Sequence, residues 1–239
     1  MANAGAPQND RRARRGERVA ACYVAACYDD EVTILPLGLV ALLLAQATPS
    51  LKGDSVRPPA PAGLSWEDAD WVAETVARAE RRLVAGKPAS RQTIVVTQRQ
   101  LNSWVNLSLA SKIPEGLSGL DLGLQKDRVV ARGMLDLDRV KSKIPPGAGA
   151  SLLAFLSGAV PVELRGRFSS ADGKGRVEVE EALVAGISLP PAILAQIVGQ
   201  STRSAKRPEG FDILSPFPLP FMARRVRLEP GRALVDFLQ

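Results

Sequence analysis

The chain has 239 residues, 46% of them hydrophobic, 23% charged and 5% aromatic, with a net charge of +6 and no histidine. That length and apolar share suit a globular body with extra segments and exclude a wholly disordered chain. Without histidine there is no Ser-His-Asp or Cys-His nucleophile pair, no histidine general base and no histidine-ligated zinc or non-haem iron.

Residues 1–18 are polar and arginine-rich (Arg11, Arg12, Arg14, Arg15, Arg18), carry no apolar period and read as disordered. Residues 19–23 and 24–28 then repeat Val-Ala-Ala-Cys-Tyr. Val-Ala-Ala-Cys resembles the stretch before a lipid-modified cysteine, but such a signal needs an apolar run ahead of it and here the run is charged. The repeat is read as accidental. Cys22 and Cys27 have no histidine or further cysteine to complete a metal site. Residues 34–45, ILPLGLVALLLA, have the length of a signal-peptide core and fall short of the ~20 residues that span a bilayer. Ala45-Gln46-Ala47 follows as a small-x-small cleavage site. Residues 1–47 are therefore expected to be a disordered prefix plus a signal peptide cleaved after Ala47, with export to the periplasm or cell envelope. Asp29, Asp30 and Glu31 stand where a signal normally carries Lys or Arg, so the true start is Met1 or a point nearer Val32. The prefix holds equal numbers of basic and acidic residues, so the remainder keeps the +6 charge, and it has no cysteine. Its own core must stabilise it.

Residues 48–64 are rich in Pro, Gly and Ser and read as a linker. Residues 65–239 read as a single α+β domain. Ser65 caps a helix with Asp68 as capping-box partner, and Trp66, Ala69, Val72, Val76, Ala79 and Leu83 recur at helical spacing. Gly86 and Pro88 end it. A strand over 92–96 follows. Thr97 caps a second helix with Gln100 as box partner and a stripe of Leu101, Trp104, Val105 and Leu109. The period then changes to two. Leu120, Leu122 and Leu124, a turn at Lys126-Asp127, and Val129, Ala131, Gly133, Leu135 and Leu137 predict a hairpin. Residues 148–156 predict a short helix. In the next hairpin Val160, Val162, Leu164, Gly166 and Phe168 share one face, with Glu163, Arg165 and Arg167 opposite. After a turn over 171–175, Val177 and Val179 resume the apolar face. Pro190 and Pro191 open a helix carrying Ile193, Leu194, Ile197 and Val198. Residues 211–222 are apolar but broken by Pro216, Pro218 and Pro220, which excludes a central strand. A last hairpin runs through Val226, Leu228, a turn at Pro230-Gly231, Ala233, Val235 and Phe237.

Amphipathic strands need an apolar partner, and the N-terminal helices supply it. The expected architecture is α+β, a strongly curved antiparallel sheet of meander hairpins wrapped around an N-terminal helix. Where sheet and helix face each other, the apolar faces either close into a dry core or leave an apolar groove between them. Leu101, Trp104 and Val105 line it from the helix, with Leu120, Leu122, Leu124, Val129, Ala131 and Leu135 from the first hairpin. Val162, Leu164, Phe168, Val177 and Val179 come from the second hairpin, and Leu194 and Ile197 from the later helix. The small residues Ala131, Gly133 and Gly166 are expected to leave room or bend the sheet. Phe217, Leu219, Phe221 and Met222, followed by Arg224 and Arg225, either form the groove's mouth and touch an anionic membrane surface or make a loop that covers the core with the arginines solvated on the last strand. Each basic side chain near such a surface contributes about 1 kcal/mol.

Other chemistry finds less support. The arginines are scattered rather than aligned with stacking aromatics, so no nucleic-acid partner is expected. Glu178, Glu180 and Glu181 read as solvated strand residues, not an acid–base pair. Asp136 and Asp138 lie two apart on one strand, but no other calcium ligands accompany them. No Gly-rich phosphate loop occurs and no cofactor is expected.

The layout resembles bacterial envelope proteins with a tubular lipid-binding (TULIP-like) half-barrel. The resemblance covers residues 91–239. It rests on Thr-x-x-Gln-Leu-Asn at 97–102 with Trp104, the Asp172-Gly173 turn, Ile-Ser-Leu-Pro at 187–190, Phe-Pro-Leu-Pro at 217–220 and Val-x-Leu-x-x-Gly-x-Ala-x-Val at 226–235. It implies a highly curved sheet around a helix, a groove that holds lipid chains, and no catalytic residues. The expected function is non-enzymatic binding or shuttling of lipid or acyl chains in the envelope. The alternative is an envelope scaffold or adaptor that binds another protein.

Overall fold

The computed structural model describes residues 57–84, 93–113, 116–140, 156–201, 208–219 and 223–237. The prefix with its expected signal and cleavage site, most of the helix expected over 148–156, and Phe221 and Met222 lie outside these residues.

Helix α1 (Trp66–Val84) begins with Glu67 and Asp68 and ends near Arg81 and Arg82, the charge order its dipole favours. Its inner face buries Ala69 and Val72. The Ser65 hydroxyl accepts the Asp68 N–H at 3.4 Å, as a cap should. The expected box does not close, because the Ser65 N–H donates instead to Ser103 Oγ at 3.1 Å and the Asp68 carboxylate lies 3.0 Å from Arg99. The start of α1 is thus tied to the next helix. Residues 57–64, part of the expected linker, run against α1. The Trp66 indole donates to the Pro58 carbonyl at 2.9 Å, and Arg57 stacks on Trp66 and pairs with Asp70 at 2.6 Å.

Strand β1 (Thr93–Thr97) leads directly into α2 (Gln98–Ser103), which continues as a wider π-helical turn, Trp104–Ser108. Here both halves of the predicted capping box form: the Thr97 hydroxyl accepts the Gln100 N–H, and the Gln100 side chain accepts the Thr97 N–H. Then come β2 (Leu117–Gln125), β3 (Arg128–Asp136), the single turn α3 (Leu137–Val140), β4 (Ala159–Ala171) and β5 (Lys174–Val184). The remaining elements are β6 (Ile187–Ser188), α4 (Pro191–Ser201), β7 (Phe217–Pro218), β8 (Ala223–Glu229) and β9 (Arg232–Phe237).

The architecture is α+β and the sheets are antiparallel. In place of one sheet there are two. The larger runs β2-β3-β4-β5-β6 with β7 beside β5; the smaller runs β1-β9-β8. Neither closes on itself. The last hairpin does not extend the meander because β9 takes β1 as its neighbour, with Thr93 opposite Asp236 and Thr97 opposite Arg232. Isolated bonds join the two sheets. Ser170 Oγ donates to the Val226 carbonyl at 2.6 Å and accepts the Val226 N–H at 2.7 Å, while the Asp127 N–H donates to Leu228 and the Gly231 N–H to Leu124.

The predicted alternation holds, with shifts of phase at bulges. Between Arg165 and Gly166 of β4 the register to β5 slips, leaving Glu180 unpaired. Val177 and Val179 point inward before the slip, and Ala182 and Val184 are buried after it. Without the extra residue Glu181 would turn into the core. Gly166 does not leave room for a ligand. A Cβ there would lie 2.9 Å from the Glu178 carbonyl, and one on Gly133 would lie 3.1 Å from that of Ser118, so close strand approach needs both glycines. On the outer face, carboxylates and guanidinia alternate across strands. Arg132 bonds Glu163 at 2.9 Å, Arg165 reaches Glu163 at 2.5 Å and Glu181 at 3.0 Å, and Arg128 and Arg167 meet at Glu180. The Arg132 hydrogen bond, aided by Arg165 and opposed by partial burial, lowers the Glu163 pKa.

The free edge of β2 is covered by side-chain amides. Residues four apart on a helix advance about 6 Å, close to the ~6.7 Å of two strand residues. Gln98, Asn102 and Asn106 therefore match Leu124, Leu122 and Leu120. Gln98 Oε1 accepts the Leu124 N–H at 2.8 Å. Asn102 accepts the Leu122 N–H at 2.8 Å and donates to the Leu122 carbonyl at 3.2 Å. Asn106 donates to the Leu120 carbonyl at 2.7 Å. The helix thus acts as an extra strand and anchors Leu101 and Trp104 over the interior.

Candidate ligand-binding cavity

The seam between the two sheets and α1 holds a partly open apolar cavity of about 110 Å³. Helix α1 contributes Val72, Thr75 and Val76, and α2 with its π-helical turn contributes Leu101 and Trp104. The larger sheet contributes Leu124, Val129, Phe168 and Val177. The smaller sheet supplies Ile94, Val96, Val226, Leu228, Ala233, Val235 and Phe237. Phe217 and Leu219 form the remaining wall. Thr75 and Trp104 are the lining residues with a polar side-chain atom, and no charged residue lines the space. Such a site takes up apolar matter and holds no charge.

The expected groove residues divide. Leu101, Trp104, Leu124, Val129, Phe168 and Val177 line the cavity. Val105, Leu120, Leu122, Ala131 and Leu135 do not; they are buried in the contiguous core, as are Val162, Leu164 and Leu194, with Val179 partly buried against it. Ile197 lies on α4, and its side chain is outside the described residues. Of the expected mouth, Phe217 and Leu219 are each 7% exposed and face inward, so they are wall rather than outer surface. Arg224 and Arg225 are exposed at the start of β8.

The wall has a specific support. At Gly175 of β5 a Cβ would lie 2.9 Å from both Leu219 Cδ2 and Phe217 Cε2, so the absent side chain is what lets this segment lie on the sheet. Gly175 pairs with Phe217, the Leu219 N–H donates to the Gly173 carbonyl at 2.7 Å, and the Phe211 and Phe217 rings are 6.0 Å apart. The preceding turn is held by Asp212. Its carboxylate accepts the Ser215 hydroxyl at 2.5 Å and the Leu214 N–H at 2.9 Å, and these bonds lower its pKa against the opposing effect of burial.

The lining from α1 and the smaller sheet was not in the expected groove. The period-two pattern of Val226, Leu228, Ala233, Val235 and Phe237 marks an apolar face, but pattern alone does not say which other face it meets.

The carboxylate pairs have structural roles. Asp136 Oδ1 accepts the N–H groups of Asp138 and Arg139, and Asp138 Oδ2 accepts that of Gly158. Among the described residues no cluster of three potential metal ligands occurs, and no helix is long and apolar enough to cross a membrane. Comparison with family models, curated proteins and solved structures returns no match to this chain.

Proposed function

We propose that this protein binds or shuttles lipid or acyl chains in the bacterial cell envelope, without catalysis, by taking apolar chain into the cavity between its two sheets and α1. The single observation that carries this reading is a void lined by apolar side chains apart from the Thr75 hydroxyl and the Trp104 indole N–H. Sequestering a chain there contributes ~0.8 kcal/mol per buried methylene. At about 110 Å³ the void is smaller than the ~150 Å³ cavity that takes up benzene, so it encloses a short length of one chain. We take the Phe217–Leu219 wall, seated against Gly175, as the part that yields to a longer chain. The bulges in β2, β5 and β8 bend their strands, and the reading takes the two linked sheets as an open, TULIP-like half-barrel. Export through the 34–45 run places it in the periplasm or envelope, and Arg224 and Arg225 make peripheral contact with anionic membrane.

Mass spectrometry of organic extracts of the purified protein tests the function. Co-purifying acyl lipid supports it. A clean extract, together with no uptake of the neutral dye N-phenyl-1-naphthylamine, overturns it. For the membrane contact, Arg224→Glu with Arg225→Glu is expected to weaken binding to vesicles containing phosphatidylglycerol about tenfold or more, and unchanged binding refutes that part.

A further inference from the structure

Along the described strands nearly every arginine has a carboxylate within 4.0 Å. This holds for Arg128 and Arg132 on β3, Arg165 and Arg167 on β4, Arg176 on β5, Arg227 on β8 and Arg232 on β9. Arg224 and Arg225 are the exceptions, being adjacent, exposed and without a carboxylate partner among the described residues. Lys174 is likewise exposed and has no carboxylate partner among the described residues. The backbone brings these three residues to one corner. The Gly173 N–H donates to the Arg224 carbonyl at 2.9 Å, and the Gly173 carbonyl accepts the Leu219 N–H at 2.7 Å. One residue thus links the backbone of the first arginine to the cavity wall. Lys174 pairs with Pro218, between the two wall residues. The register slip that leaves Arg224 unpaired in the β8–β9 ladder frees its carbonyl for this bond.

We infer that the ligand is a single-chain anionic amphiphile, its tail in the cavity and its carboxylate or phosphate monoester outside, against Lys174, Arg224 and Arg225. This rests on the chain-binding function proposed above and assigns the ligand's charge. No charged side chain lines the cavity, so an anionic head stays outside. Its volume fits the end of one chain. The anions on the spot do not neutralise the three cations. Asp172 is one exposed carboxylate in the same turn, and Asp236, opposite Arg225, is engaged by Arg227 at 3.5 Å and by the Thr93 hydroxyl at 2.6 Å. Guanidinium groups suit carboxylate and phosphate geometry in particular.

Calorimetric titration at pH 8 with decanoate, decyl phosphate, decanol and inorganic phosphate tests the assignment. At low salt, decanoate and decyl phosphate are expected to bind roughly tenfold tighter than decanol, the sum of three modest ion pairs at an exposed site. The ratio should fall toward one in 0.3 M salt, about a threefold rise in screening over 0.03 M. It should fall equally in a variant with Lys174→Gln, Arg224→Gln and Arg225→Gln, whose folding is checked by its thermal transition. Equal binding of decanoate and decanol overturns the inference while leaving the chain-binding function intact. Binding of neither removes both. Inorganic phosphate bound as tightly as decyl phosphate would make the corner a plain anion site and also overturns the inference.

Discussion

Asn102 shows most directly how one side chain holds this fold together. It is 8% exposed and occupies both the N–H and the carbonyl of Leu122 on the edge of the larger sheet. Asn102→Ala leaves both groups buried and unpaired, which is expected to cost about 2–4 kcal/mol in urea unfolding. Asn106→Ala, which removes a donor from the Leu120 and Asn102 carbonyls but leaves every N–H of the strand edge paired as before, should cost less. Glu163 makes a different kind of contribution. Its bonds to Arg132 and Arg165 lower its pKa in the folded state. The unfolded state therefore holds the proton more tightly, and the stabilisation is present above the ordinary glutamate value. It is lost as pH falls through the lower folded value. Glu163→Gln should be less stable than the parent at neutral pH, with the gap closing as pH drops below about 4.5. Denaturant midpoints across pH 2–7 measure this, and a gap of constant size refutes it. Both residues illustrate what the sequence discloses unevenly. The apolar stripe of Leu101 and Trp104 stands out by its period, whereas Gln98, Asn102 and Asn106 are an equally regular series whose meaning depends on a strand edge more than ten residues away.

At the scale of elements, helices and hairpins were legible because their faces follow the periods of 3.6 and two. Thr97 and Gln100 close their box as predicted, and the turns at Lys126-Asp127 and Pro230-Gly231 fall between paired strands. The Ser65–Asp68 box failed because Ser103, distant in sequence, competes for the same N–H. Bulges were not legible either, since an unpaired residue is defined only against its partner strand. The Pro-rich segment is the element most open to perturbation. Gly175→Ala places a methyl group 2.9 Å from Phe217 and Leu219, and one of them must move. We expect a loss of about 1–3 kcal/mol and faster uptake of N-phenyl-1-naphthylamine, read by unfolding curves and stopped-flow fluorescence. Unchanged uptake would mean that this wall does not control entry. Ser170→Ala removes both bonds to Val226, and a loss of about 1–3 kcal/mol is expected, because the Val226 N–H and carbonyl then lack that partner.

For the whole molecule the consequential feature is the division into two sheets, because the cavity lies at their seam. Val76→Phe projects a larger side chain into that space from α1. It is expected to abolish dye and decanoate binding with little loss of melting temperature, since it fills a void rather than opening one. Retained binding would place the ligand elsewhere. The sequence by itself determined the α+β class, the amphipathic faces, the first cap of α2 and the absence of histidine chemistry, because propensity, period and composition are local. It led to a single sheet around a helix, with a groove along all its inward residues. Only the tertiary structure decided that β9 pairs with β1, that Val105, Leu122 and Leu164 are packed core, and that Val72, Val226 and Phe237 face the void. The physical reason is that burial is a property of opposed surfaces. A strand's own alternation states which side avoids water, and the arrangement of the other elements states whether that side meets a side chain or an open space.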